Sequence, residues 1–168
     1  MRLAGLLALL CLGLLAGAPA TAQQPTPQEL FRTVLLNDTG TTSGVKRLLR
    51  TSAGFVSPAT TFADLTGDGK SDAVVTVENG GAAGALAAYV LTAEGSDKGD
   101  LRVALRVQSL YQGAVRTSGP TLTIAAPRHV RGDDVCCTGR MTERDYAWDA
   151  AKKAFTKRDT RTVSPERR

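Results

Sequence analysis

Side chains that carry chemistry are scarce in this chain of 168 residues, which has one histidine, three cysteines and one tryptophan. One cysteine, Cys11, lies inside the N-terminal apolar run, so Cys136 and Cys137 are the only thiols beyond it. Without a third or fourth cysteine ligand the pair argues against a structural zinc centre. The lone His129 leaves acid–base or nucleophilic catalysis a single imidazole to work with. No second long apolar run follows the first, so no later segment reaches the ~20 apolar residues that span a bilayer. There is no internal repeat and no linker that would divide the chain.

What is present begins with Met1 and Arg2, an apolar run over residues 3–16, and then Ala18, Pro19, Ala20, Thr21 and Ala22. One positive charge, a run too short to span, and small residues at alternating positions predict a secretory signal over residues 1–22, cut after Ala22 or, alternatively, after Ala20. Lipidation at Cys11 is disfavoured by Leu9 and Leu10, which stand where small residues are wanted. The remaining 146 residues suit one domain with one core, residues 23–163, followed by a basic tail, residues 164–168. Acidic and basic residues balance over residues 23–139, and the positive excess lies after Gly139, in residues such as Lys152, Lys153, Lys157 and Arg158. Such a region is usually solvated, but it offers an anionic envelope component a surface. Export makes nucleic acid an unsuitable partner, and the domain is expected to be a monomer.

Thr26, Pro27 and Glu29 form a capping box with proline at the first helical position. Leu30, Phe31, Val34 and Leu35 share a helical face, which predicts a helix to about Asn37. Val45, Leu48 and Leu49 suit a second short helix better than an edge strand. After Pro58 the texture changes to short β-type runs at residues 60–65, 73–78, 85–93, 101–110, 121–126, 141–148 and 154–163. In residues 101–110, Leu101, Val103, Leu105 and Val107 alternate with Arg102 and Arg106, the pattern of a strand with one wet face. Short connections between neighbouring runs predict an antiparallel meander. The expected fold is α+β, mostly β, with one or two short N-terminal helices packed on the sheet.

The most specific stretch is residues 64–72. Asp64, Asp68 and Asp72 occupy its first, fifth and ninth positions, with glycine at 67 and 69. An alternating acidic loop can aim oxygens at a hard cation, so the candidate calcium ligands are Asp64, Thr66, Asp68 and Asp72, with the Lys70 carbonyl at the seventh position. Val75 stands where an EF-hand requires a bidentate glutamate, which rules that motif out. The competing reading is an Asp/Gly turn whose carboxylates cap backbone N–H groups. The stretch resembles the single calcium loops of FG-GAP and VCBS-type β-propeller repeats, departing from them at Thr66.

Cys136 and Cys137 are adjacent, and a trans peptide holds neighbouring Cα atoms near ~3.8 Å, closer than an ordinary disulfide prefers. A strained vicinal disulfide is favoured, with intermolecular bridges or a soft-metal thiolate pair as alternatives. Residues 64–75, the glycine-rich residues 80–84, residues 132–137 with the paired cysteines, and Arg144, Asp145, Tyr146, Ala147, Trp148 and Asp149 together resemble the LppP/LprE lipoprotein-like family of actinobacterial envelope proteins. The resemblance covers about residues 55–157. It implies an envelope or secreted domain and supplies no reaction.

The expected function is therefore that of a secreted or cell-envelope domain without catalysis, stabilised by calcium if the acidic loop holds it. The alternative is an exported thiol-active or Cys–His enzyme built on His129 and Cys136. His129 reads instead as an exposed loop residue. Tyr146 and Trp148, two apart on one strand, share a face and are expected to pack in the core.

Overall fold

The computed structural model describes residues 24–93, 100–129 and 140–164. Two helices, α1 (Pro27–Asn37) and α2 (Ser43–Arg50), precede eight strands. These are β1 (Phe55–Val56), β2 (Thr61–Ala63), β3 (Asp72–Glu78), β4 (Ala85–Thr92), β5 (Arg102–Ser118), β6 (Thr121–Pro127), β7 (Met141–Asp149) and β8 (Ala154–Val163). The fold is α+β and mostly β. Every pairing between these strands is antiparallel. The order β1-β3-β4-β5-β6-β7-β8 is a meander after β1, with β2 also on β3. No helix among the described residues is long and apolar enough to cross a membrane.

The capping box forms as its spacing predicts. The Thr26 hydroxyl accepts the Glu29 N–H at 3.3 Å and the Glu29 carboxylate accepts the Thr26 N–H at 2.7 Å. Two of the helix's unpaired donors are satisfied in this way. Phe31 and Leu35 of α1 and Val45 and Leu49 of α2 are buried. Arg32 reaches across to donate two hydrogen bonds, at 3.0 and 2.9 Å, to the Leu49 carbonyl. That carbonyl lies in the last turn of α2, where helical partners run out.

The helices cover one face of β3 and β4, packing on Val75, Val77, Tyr89 and Leu91. The opposite face presents Val74, Ala88 and Val90 to Leu122, Ile124 and Phe155 from β6 and β8. Helices, first sheet half and second sheet half thus form three layers, with β3 and β4 in the middle. This explains why both strands read as unbroken apolar runs rather than alternating ones.

The strand that joins the layers is β5. Residues 102–108 pair with β4 and residues 114–118 pair with β6. Between them Ser109 and Gln112 have φ of +61° and +49°. Close approach shapes the same corner: Gly84, at φ +54°, stands where a Cβ would meet the Gln112 Cα at 3.2 Å.

The expectation of one wet face on residues 101–110 is corrected here. Val90 pairs with Leu105 but Leu91 pairs with Val103, so one residue of β5 is bulged out. A bulge of one residue exchanges the faces. Val103 accordingly faces the helices and Leu105 the second sheet half, so the apolar residues divide between the two faces while Arg102 and Arg106 stay exposed. Tyr146 and Trp148 both pack on the second core, as expected. The Trp148 ring meets Phe155 edge-on at 5.3 Å.

Candidate functional site

The acidic stretch joins β2 to β3, and its carboxylates face its own backbone. Asp64 accepts the Gly67 N–H at 2.7 Å with one oxygen and the Gly69 N–H at 3.0 Å with the other. Gly67 and Gly69 have φ of +77° and +80°, a region that favours glycine. Asp68 accepts the Lys70 N–H at 2.9 Å. Asp72 is 1% exposed, and a single one of its oxygens accepts both the Leu65 N–H at 2.8 Å and the Thr66 N–H at 2.9 Å. Its other oxygen lies 3.5 Å from the Thr66 hydroxyl.

Of the five expected calcium ligands, the structure therefore brings Thr66 and Asp72 together at the base of the turn. Asp64, Asp68 and Lys70 are placed on its exposed rim. Among the described residues, no three His, Cys, Asp or Glu side chains gather as a metal-holding group. The donors are of the right class for calcium, but the rim carboxylates would have to turn away from backbone N–H groups to reach one. Cys136 and Cys137 lie outside the described residues, as do the signal residues 1–22.

A second polar cluster ties the helices to the sheet, and no local sequence pattern announces it. Asp38, which ends α1, accepts the Thr41 hydroxyl at 2.8 Å and the Arg106 Nε at 2.7 Å, and its other oxygen pairs with the Arg106 Nη2. Gln108 accepts the Thr42 N–H at 2.8 Å and the Tyr89 hydroxyl at 3.0 Å, and donates to the Gly40 carbonyl at 3.1 Å. Arg106 holds the Asp38 carboxyl below its ordinary range, and Asp38 in turn raises Arg106. Burial pushes the Tyr89 phenol up to about 12.

A third cluster lies on the outer face of the second sheet half. Glu143 bridges Arg116 and Arg161 at 2.7 Å each, while Asp145 pairs with Arg161 and accepts the Thr123 hydroxyl at 2.6 Å. These partners lower both carboxyls, Glu143 chiefly through Arg116 and Asp145 chiefly through Thr123. The residues come from β5, β6, β7 and β8, so the cluster staples four strands across one face.

The remaining feature is a groove at the corner of β5. A space of about 510 Å³ is lined by residues of β5, β6 and β7, among them Gln108, Ser109, Tyr111, Arg144 and Tyr146. Alternation on β7 sends Glu143 and Asp145 outward and Arg144, Tyr146 and Trp148 inward. Tyr146 and Trp148 reach the core; Arg144, further along, reaches the groove. Burial raises the Tyr146 phenol, and the Arg144 charge opposes that rise. Tyr111 is 44% exposed, and its ring lies 6.2 Å from the ring of His129, which is exposed as expected. No family model matches this chain, and no curated protein or solved structure matches it either.

Proposed function

We propose that this chain is an exported, non-catalytic domain of the cell envelope or of secreted material, and that it works by binding rather than by turnover. The observation that carries this reading is the use made of its carboxylates. Asp38, Asp64, Asp72, Glu143 and Asp145 are each engaged by backbone N–H groups, hydroxyls or arginines that hold the fold rigid. Carboxylates so occupied are poor general bases, whereas a rigid frame with an open groove suits recognition. The N-terminal pattern of residues 1–22 and the resemblance to the LppP/LprE lipoprotein-like family support an envelope or exterior location.

The acidic turn fits this reading as a structural lock between β2 and β3. Calcium, taken up by Asp64, Asp68 and Asp72 with Thr66 and the Lys70 carbonyl, would add to a turn already closed by hydrogen bonds. Binding in the range of weak extracellular sites, ~10⁻⁴–10⁻³ M, stabilises by about 1–2 kcal/mol at millimolar calcium.

The test is expression of the full chain with its leader, followed by intact-mass measurement of exported material under non-reducing conditions. A monomer beginning at Gln23 or Thr21, with Cys136 and Cys137 bonded to each other, is the expected result. Retention of residues 1–22 would overturn the export reading. Free thiols that react stoichiometrically with an electrophilic probe would favour the thiol-enzyme alternative. A melting temperature indifferent to calcium would remove the cation while leaving the turn.

A further inference from the structure

We propose that the groove at the β5 corner is a binding site for a small monocarboxylate with a polar ring, of the uronic-acid type, anchored by Arg144. The inference deepens the reading of the chain as a binding domain and rests on it.

Three observations on the groove converge. The first is the state of Arg144. This guanidinium is half-buried and makes no ion pair or hydrogen bond among the described residues, whereas the other arginine on the groove lining, Arg106, is paired with Asp38. No Asp or Glu is among the described lining residues. A half-buried guanidinium with its donors unused is a poor structural feature and a good receptor for a planar anion, which it grips through two parallel N–H bonds. The second observation is charge balance. With Arg106 neutralised by Asp38, the described lining of the groove offers one uncompensated positive charge, which matches a carboxylate better than a phosphate dianion.

The third is what surrounds that charge. A volume of about 510 Å³ lies within the size range of small-molecule sites. Tyr111, exposed on the rim beside His129, offers a flat face on which a ring can lie. The Ser109 hydroxyl is exposed and without a partner among the described residues, and Tyr146 places a phenol beside Arg144. Hydroxyl groups on a ring would meet both. Ser109 holds a positive φ for a residue other than glycine, and Gln112 does the same two residues past Leu110. Backbone held in that region clusters at ligand sites.

The experiment is an NMR titration of the exported chain with sodium glucuronate, and with glucose and glucose 6-phosphate as the neutral and dianionic comparisons. Glucuronate is expected to shift the amides of residues 108–112 and 144–146 saturably, with glucose at least tenfold weaker. Arg144→Gln, which breaks no hydrogen bond or ion pair among the described residues and should melt as the parent does, is expected to weaken glucuronate about tenfold or more. Arg144→Lys should recover only part of that loss, because an ammonium cannot present the fork. Equal binding of glucose, tighter binding of glucose 6-phosphate, an unaffected Arg144→Gln protein, or no shifts at tens of millimolar would each overturn the site. Those failures leave the non-catalytic reading standing. Conversely, conversion of bound glucuronate into a product would sustain the site and sink that reading.

Discussion

Removing the Asp72 carboxylate separates the hydrogen-bonded turn from a turn that exists only to hold metal. In Asp72→Ala the Leu65 and Thr66 N–H groups lose their shared acceptor, and Leu65 is buried where water cannot replace it. An unsatisfied buried donor costs about 1–3 kcal/mol. With Leu65 near the top of that range and half-buried Thr66 near the bottom, the expected loss is about 3 kcal/mol. At ~3–4 °C per kcal/mol for a domain of this size, the melting point falls by about 10 °C. Asp72→Asn should behave differently, because both N–H groups converge on one oxygen and the amide carbonyl can take its place. What it loses is the charge assistance, about 1 kcal/mol. Urea unfolding in the presence of a chelator, followed by the fluorescence of Trp148 against Phe155, measures both, and the slope of free energy with urea should not change. If Asp72→Ala cost less than ~1 kcal/mol, or if Asp72→Asn were as damaging as the alanine, the account of two backbone donors on one buried oxygen would be wrong.

A Cβ at residue 40 would stand 2.5 Å from the Arg106 Nε, so Gly40→Ala should dislodge Arg106 from Asp38. Its cost, about 1 kcal/mol, should be shared with Asp38→Asn, leaving the double variant clearly less destabilised than the sum in a double-mutant cycle. Asp38, Glu143 and Asp145 have folded-state pKa values below their ordinary ones, so the unfolded chain takes up their protons first as pH falls. Their contribution is complete above about pH 4.5 and is lost as pH falls through the lowered values; Asp38→Asn should flatten part of that acid limb in urea titrations at successive pH. Tyr89 has the opposite sign: its raised value stabilises the fold below pH ~10, and that contribution disappears as pH rises towards about 12. The highest phenolate step in an alkaline absorbance titration should vanish in Tyr89→Phe. Ser109→Gly relieves a left-handed backbone at some cost in chain entropy and should raise stability by up to ~1 kcal/mol in urea melts.

Local signals were legible wherever one stretch of chain decides its own conformation. The capping box at Thr26 and Glu29, the apolar stripe of Phe31 and Leu35, and the turn at Asp64 all close within a few residues, so spacing alone exposes them. The two-residue β1 escaped because Phe55 and Val56 form no period, and they become a strand only through pairing with Val77 and Glu78. Residues 111–118 escaped for a related reason: Tyr111, Gln112 and Gly113 look like a break between strands, yet the chain bends there and pairs again. The bulge that exchanges the faces of Val103 and Leu105 is set by the partner strand and leaves no mark in the alternation of β5 itself. The candidate site divides along the same line. The acidic turn could be found in the sequence, whereas Asp38 and Arg106, 68 residues apart, meet only through the tertiary fold.

The groove follows from the same bend that hid it. A straight β5 would keep residues 102–118 in one flat sheet, leave the second core without its upper layer, and place Arg144 on an open face. The turn at Ser109 and Gln112 folds β6, β7 and β8 back over β3 and β4, which buries Ile124 and Phe155. On the inward face of β7 the apolar side chains, Trp148 and Tyr146, end at the corner. Arg144 is the next inward-facing residue beyond them. It is half-buried there and has no hydrogen-bond or ion-pair partner among the described residues. With no partner among the described residues to lose, its replacement should cost the fold little. Among the described residues the corner therefore combines left-handed backbone, an open volume and an unengaged charge in one place, and the proposed carboxylate site rests on that coincidence.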